Sequence, residues 1–295
     1  MPAWRPRREW LRESVRSALG QAGCSVELIV VDDGSPEPVA ELLSGVEDDR
    51  LRLLRVEHRG ASAARNAGAD AASAAVLRFI DADDVITPRS TATLLSLLGG
   101  RDDLIAYGAT MFCDEQLRPL WRMTSDVEGD ATVACLLGKF TTRPHAFLFP
   151  AAVVEKAGDW RPDLGVSEDW DFILRALEHA QVRGTHEVAT LYRRHGEGST
   201  EDPAEGERGA RAVVDAYFAR HPEQRGTRLE RRARARLLAH TGRVYATHGA
   251  RAKGLRRVAR AAALDPTAVT TEIRQSLPAI GGAVRRRLGR APAES

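Results

Sequence analysis

Across residues 9–80 the apolar positions switch repeatedly between a helical and a strand period. Trp10, Leu11, Val15 and Leu19 share one helical face and Gly20 is a stop signal, so the pattern predicts a helix over 9–19. Glu27-Leu28-Ile29-Val30-Val31 is a continuous apolar run broken by Asp32-Asp33-Gly34-Ser35, the pattern of a buried parallel strand. A helix is predicted over 36–43, a strand over 51–56, an Ala-rich helix over 61–74 and another buried strand over 75–80. That last strand stops at Asp81-Ala82-Asp83-Asp84, and Thr87-Pro88 opens the next helix. Strands alternating with short helices predict an α/β fold with a doubly wound, mostly parallel sheet and flanking helices.

Farther along, 104–112, 120–123, 145–149 and 188–192 carry strand patterns, while 131–137, 150–157 and 166–177 carry helical ones. Residues 196–206, rich in Gly, Ser, Glu, Asp and Pro, predict a linker or mobile loop. From Gly206 the pattern is helical. Leu229, Ala233, Leu237, Leu238, Val244 and Tyr245 form one apolar stripe, and Ala252, Leu255, Val258, Ala259 and Ala262 form a second. The expected organisation is a catalytic α/β domain over 1–205 and a small basic helical module over 206–295.

Charge sharpens that division. The chain of 295 residues has a formal net charge of only +2. Residues 1–200 nevertheless hold 23 Lys and Arg against 31 Asp and Glu, whereas residues 201–295 hold 20 against 10. Three scattered cysteines, Cys24, Cys113 and Cys135, exclude a disulfide framework and a zinc site and point to a reducing compartment, the cytoplasm. No apolar run approaches the ~20 residues of a spanning helix. Arg-rich tail segments (Arg231, Arg232, Arg234, Arg236; Arg256, Arg257, Arg260; Arg285, Arg286, Arg287) suit either a solvated face or a peripheral contact with the inner face of a membrane. Nucleic acid is not expected, because no aromatic platform interleaves with the arginines.

Candidate chemistry gathers at the strand ends. Carboxylates released at the C-terminal edge of parallel strands enter the crevice where open α/β sheets bind ligands. Asp32/Asp33 and Asp81/Asp83/Asp84 share that edge, and Glu168-Asp169 opens a later helix. Each has a plain structural reading, as an Asx-turn or N-cap for the first two and a first-turn helix-dipole contact for the third. Taken together they suit a site where a cation or a donor-rich ligand offsets the repulsion.

Four ordered segments carry a resemblance: Glu27–Ser35 (ELIVVDDGS), Gly60–Gly68 (GASAARNAG), Phe79–Asp84 (FIDADD) and Ser167–Arg175 (SEDWDFILR). Over residues 1–200 the chain resembles family 2 glycosyltransferases of the GT-A fold. The resemblance implies transfer of a sugar, with inversion, from a nucleotide-diphosphate sugar of the UDP, dTDP or GDP type to a saccharide or lipid-linked acceptor, in cell-envelope polysaccharide, glycolipid or glycoconjugate synthesis. By the same resemblance Asp33 accepts a hydrogen bond from the base, Asp32 supports it or reaches the ribose, and Trp4 stacks on the base. Arg65 and Asn66 lie near the nucleotide, or Arg65 simply pairs within the acidic cluster. Asp83 of the Asp81-x-Asp83 motif binds Mg²⁺ or Mn²⁺, Asp81 reaches the ribose or a metal-bound water, and Asp84 is structural. Asp169 is the catalytic base, with Glu168 and Asp171 as neighbours able to replace it. Trp170 lines the acceptor pocket or the core, and His195 adds a metal or phosphate contact.

The chain departs from that pattern at its start. Met1-Pro2-Ala3-Trp4-Arg5 fits the turn after the family's first strand, and almost all of the strand itself is absent. A truncated central strand would leave buried backbone groups unpaired at about 1–3 kcal/mol each, so the expectation is a natural start about ten codons upstream. A non-catalytic nucleotide-sugar-binding or scaffolding homologue acting through its basic tail is the competing reading.

Overall fold

The structure, a computed structural model, describes residues 1–140, 143–195 and 202–273. In chain order its elements are β1 (Pro2–Ala3), α1 (Arg8–Leu19), β2 (Leu28–Asp32), α2 (Val39–Leu42), β3 (Leu51–Arg55), α3 (Ala61–Asp70), β4 (Val76–Leu77), β5 (Val85–Ile86) and α4 (Ser90–Leu98). There follow β6 (Leu104–Cys113), β7 (Pro119–Met123), α5 (Thr132–Leu136), β8 (Phe147–Pro150), α6 (Ala151–Ala157), α7 (Glu168–Leu177), β9 (Gln181–Arg193), α8 (Pro203–Arg220), α9 (Arg228–Thr247) and α10 (Arg251–Leu264). They fall into two compact units. Met1–Cys135 and the chain from Phe140 through β9 make the first; Leu136–Lys139 with α8, α9 and α10 belong to the second.

In the α/β unit the apolar run of β2 is buried throughout, as a strand paired on both edges requires. It lies between β1 and β3, and both pairings are parallel. A second sheet has the order β4-β8-β6-β9-β5, with β7 on β6. It is mixed: β6 and β9 run parallel, while β4, β5, β7 and β8 pair antiparallel. Leu11, Val15 and Leu19 of α1 pack with Leu28 and Val30 of β2 and with Ile80. Below β6 and β8, Leu94 and Leu98 of α4 meet Leu104, Ala106 and Leu148.

Two strands differ from the sequence pattern. β9 begins at Gln181, seven residues before the expected start, because pairing along β6 recruits a polar segment whose side chains show no alternation. β4 keeps a ladder only at Val76 and Leu77, opposite Pro150 and Phe149, while Phe79 and Ile80 are buried without strand pairing. β1 pairs over two residues, Pro2 with Val31 and Ala3 with Asp32. Between β2 and β4 there is a cavity of about 320 Å³ lined by Met1, Leu28, Ile29, Val76 and Leu77. The Met1 ammonium donates to the Ile29 carbonyl at 2.8 Å, and burial lowers its pKa to about 5.

In the helical unit the first predicted stripe faces inward, with Ala233, Leu237 and Tyr245 buried. The second is turned outward and needs correction: Leu255 is 70 % exposed, and Ala252, Ala259 and Ala262 are exposed with it. Small residues decide the packing instead. A Cβ on Gly254 would meet the Gly242 carbonyl oxygen at 2.5 Å, so α9 and α10 touch through glycine. Of the seven tail arginines expected to form a basic face that lie among the described residues, four are paired internally. Arg257 bonds Glu207, which also accepts from the Tyr245 hydroxyl, and Arg232, Arg234 and Arg236 pair with Asp265, Asp215 and Glu272. Arg231, Arg256 and Arg260 remain exposed. The expected loop residues 196–201 and Arg285, Arg286 and Arg287 lie outside the described residues.

Gly254→Val should therefore destabilise the helical unit by about 1–3 kcal/mol through overpacking, whereas Leu255→Ser should stay within about 0.5 kcal/mol of the parent. Urea denaturation followed by circular dichroism separates the two; equal losses would contradict the glycine contact.

Candidate active site

The loop after β2 is organised by its two aspartates. Asp32 Oδ1 accepts from the Ser35 amide at 2.8 Å, and Oδ2 accepts from the Val39 amide at 3.1 Å and from Arg55 Nη1 at 2.9 Å. The Asp32 carboxylate thus closes the turn into α2 and pairs with Arg55, which leaves it one unused lone pair, on Oδ1. Asp33 is equally buried and receives the segment 58–60: the Arg59 amide on Oδ1 at 2.9 Å, and the Gly60 amide and His58 Nδ1 on Oδ2 at 2.9 and 2.8 Å. Gly34, at φ +73°, makes this approach possible, because a Cβ there would come within 3.0 Å of the His58 amide. His58 in turn stacks on Trp4 at 3.8 Å between centroids, so Trp4, His58 and Asp33 form one wall.

At the end of β4, Asp81 is held by two cations. Arg65 Nη2 donates to Oδ1 at 2.9 Å and His145 Nε2 to Oδ2 at 3.0 Å. Burial would raise the Asp81 pKa, but Arg65 and His145 together hold it well below the usual carboxylate range. His145 Nδ1 also faces Asp84 Oδ2 at 2.9 Å. Burial would deprotonate this imidazole, yet Asp81 and then Asp84 outweigh it and push the pKa up to about 10, so the ring is a cation at neutral pH. Asp84 Oδ1 accepts from the Arg193 amide at 2.8 Å, and the Arg193 side chain donates to the Asp83 carbonyl at 2.8 Å and reaches Glu13. Asp84 is therefore structural, as expected.

Asp83 differs from both neighbours in its partners. Its side chain is 34 % exposed against 31 % for Asp81, and the contact on its carboxylate is His195 Nε2 at 2.8 Å from Oδ2. Burial, then the charges of Asp84 and Asp81, raise its pKa against the pull of His195. A carboxylate disfavoured as an anion by like charges, open to solvent and set beside an imidazole is a donor set that fits a hard divalent cation. His195 in turn lies against the Trp10 ring at 5.0 Å.

The helix α7 brings the last acidic pair. Ser167 precedes it with φ +74°, a costly conformation for a residue with a Cβ, which turns Glu168 and Asp169 into the first helical turn. Glu168 Oε1 accepts from Arg65 Nη1 at 3.2 Å, so one guanidinium ties the β4 edge to the start of α7. The face of Arg65 rests on Trp160 at 4.6 Å, and Trp160 stacks on Phe172 at 4.1 Å. Asp169 is 30 % exposed, with its Oδ1 on the Trp170 amide and its Oδ2 3.7 Å from Arg143. Arg143 lies over the Tyr192 ring at 4.8 Å.

The geometry bears on three further residues. The Asn66 amide spans the Trp160 peptide, donating to the carbonyl at 2.9 Å and accepting from the amide at 2.8 Å. Asp171 does not stand by for Asp169, because it is buried and held by Arg175 Nε at 2.9 Å. Trp170 is half-buried and donates to the Cys135 carbonyl at 3.3 Å. Sequence reasoning missed His145 and Arg143, cations that meet the acidic residues, and expected Arg193 or Arg194 to assist His195, whereas Arg193 binds Asp84, the Asp83 carbonyl and Glu13. The signal available was weak: two basic residues at the mouth of a predicted strand.

A mixed α/β unit with Asp-rich loops and an acidic helix start agrees with the GT-A fold expected from the sequence. Residues 1–156 match the family described as Glycosyl transferase family 2, and the chain belongs to that family. A Sinorhizobium fredii protein designated y4gI is 28 % identical over 204 residues, 65 % of this chain and 21 % of the relative. The succinoglycan biosynthesis protein ExoO of Rhizobium meliloti is 40 % identical over 76 residues, 25 % of this chain and 22 % of its own. The chain thus spans about a fifth of the length of these relatives. Among solved structures, S. aureus TarS residues 1–349 in complex with UDP-GlcNAc superimposes with a TM-score of 0.60 at 15 % identity, covering 93 % of this chain and 90 % of that one. At that identity the likeness establishes the fold.

The charge on His145 makes a pH prediction. Its folded pKa of about 10 lies above the ordinary 6.5, so its stabilisation is complete below pH 6.5 and is lost as pH rises toward and through 10. Unfolding free energies at pH 6.5 and 9.5 should differ more in the parent than in His145→Gln; parallel curves would contradict a charged His145.

Proposed function

We infer that this protein transfers a sugar from a nucleotide-diphosphate donor to an acceptor hydroxyl, with inversion and with the help of Mg²⁺ or Mn²⁺. The observation that carries the reading is Asp83, whose carboxylate meets His195 through Oδ2 while every oxygen of Asp81 and Asp84 has a protein nitrogen within 3.0 Å. Asp83 and His195 would hold the cation, which when bound offsets the charge of the departing diphosphate. Asp33 and Trp4 supply an acceptor edge and a ring for the base. Both oxygens of Asp33 already accept from the 58–60 segment, so a base N–H has to use the remaining lone pair on Oδ1. Asp81, clamped between Arg65 and His145, is oriented toward the ribose or a metal-bound water.

Asp169 is the group that takes the acceptor proton. The other carboxylates on this helix turn are committed, Glu168 to Arg65 and Asp171 to Arg175, which leaves Asp169 as the exposed carboxylate of the three. The hydroxyl it deprotonates then attacks the anomeric carbon from the side opposite the diphosphate. The structure of TarS with UDP-GlcNAc favours a UDP-type donor, and the name of ExoO favours cell-envelope polysaccharide as a destination. Among the described residues no helix is long and apolar enough to cross a membrane. Exposed Leu255 flanked by Arg251, Arg256 and Arg260 on α10 suits a peripheral contact with anionic lipid near a lipid-linked acceptor.

Thermal shift with UDP-sugars and Mn²⁺ tests the donor, and two variants separate the roles. Asp83→Ala should lose the Mn²⁺-dependent part of donor stabilisation. Asp169→Asn should keep it and lose about 10²–10⁴-fold in turnover. The opposite pattern would exchange the two assignments, and absence of stabilisation by any nucleotide sugar would defeat the reading.

A further inference from the structure

We propose that His145 is a positioning residue that reserves Asp83 for the cation: it clamps and neutralises Asp81 and Asp84, so that among the described residues Asp83 alone of the three keeps a carboxylate oxygen that meets no protein donor. The proposal rests on the nucleotide-sugar reading above. His145 is 2 % exposed and enters the cluster from the turn before β8, far in sequence from the Asp-x-Asp segment. Its two nitrogens stand 3.0 Å from Asp81 Oδ2 and 2.9 Å from Asp84 Oδ2. The opposite oxygens are occupied as well, by Arg65 on Asp81 and by the Arg193 amide on Asp84. All four oxygens of these two carboxylates therefore face a protein donor, whereas Asp83 meets His195 through Oδ2. The ring itself is fixed: its backbone carbonyl accepts from Arg78 Nε at 2.9 Å, and it lies parallel to Tyr192 at 6.0 Å.

Ligand atoms of Asp81, Asp84 and His145 lie within 4.8 Å of one another, a spacing that a metal ion would also span. The charges and distances favour a counter-ion instead. A ring with a carboxylate oxygen within 3.0 Å of each nitrogen is favoured as the doubly protonated cation, which offers no lone pair to a metal. Its positive charge also repels a cation at that point, which directs the ion to Asp83. Removing the charge should reverse this. Asp81 and Asp84 would then form a competing pair with one more uncompensated negative charge.

Two titrations read the effect, Mn²⁺ alone into nucleotide-free protein and UDP into protein saturated with Mn²⁺. His145→Gln keeps a polar side chain and loses the charge. It should bind Mn²⁺ alone about tenfold more tightly than the parent and UDP about tenfold more weakly, because the ion is drawn away from Asp83. Asp84→Asn leaves the imidazole charge in excess and should weaken Mn²⁺ binding by about tenfold. A purely structural His145 would give the same sign of change in both variants, or weaker Mn²⁺ binding in His145→Gln, and either result overturns the proposal. If His145→Gln does not fold, the direction of Asp84→Asn decides alone: unchanged or tighter Mn²⁺ binding there overturns it. A parent protein that binds neither Mn²⁺ nor UDP would defeat the glycosyl-transfer reading, a failure distinct from that of His145.

Discussion

The site is organised by repulsion among carboxylates. Asp81, Asp83 and Asp84 leave one strand end together, and Glu168 and Asp169 are brought against the same region by α7. Two like charges about 4 Å apart at a protein surface repel by about 4 kcal/mol at an effective dielectric of 20, so such a set does not assemble unaided. Four basic residues from distant parts of the chain make it tolerable: Arg65 from α3, His145 before β8, Arg193 at the end of β9 and His195 after it. The topology that joins β4, β8 and β9 in one sheet is what delivers three of them.

Arg65 shows how deeply the arrangement is rooted. Its guanidinium is buried, bridges Asp81 and Glu168, and rests flat on Trp160. Trp160 is held by Asn66 through both ends of its peptide and packs among Phe79 and Phe172. The motif neighbours Arg65 and Asn66 thus divide a task. One carries charge to the site, and the other fixes the aromatic floor on which that charge lies. Buried ion pairs of this kind add little net stability, since desolvation offsets attraction, but removal of one partner is costly. Their effect is to hold a geometry.

The carboxylates were legible in the sequence because an apolar run that stops at Asp residues has few structural alternatives, although the two runs end in different sheets. Their partners were not. Nothing local marks His145 as the ion-pair partner of Asp81 and Asp84, since the pairing exists only once β8 lies beside β4. Periodicity failed for a similar reason at both ends of the chain. The polar half of β9 is a strand because β6 offers a full ladder, and α10 packs through Gly254 and Ala261 because a close backbone approach wins over burial of Leu255. Hydrophobic pattern reads burial well where side chains fill space, and poorly where backbone contact or a partner strand decides.

The same physics explains why one carboxylate is treated differently. If every acidic group were neutralised by protein cations, the cluster would be stable and inert. If none were, it would not form. Asp81 and Asp84 are paired on every oxygen, so the remaining deficit of positive charge is concentrated on Asp83, whose pKa is raised by its burial and by those two neighbours. On the proposed function a small divalent ion held by Asp83 and His195 would relieve that deficit in a way a side chain cannot, because it would keep coordination positions open for diphosphate oxygens.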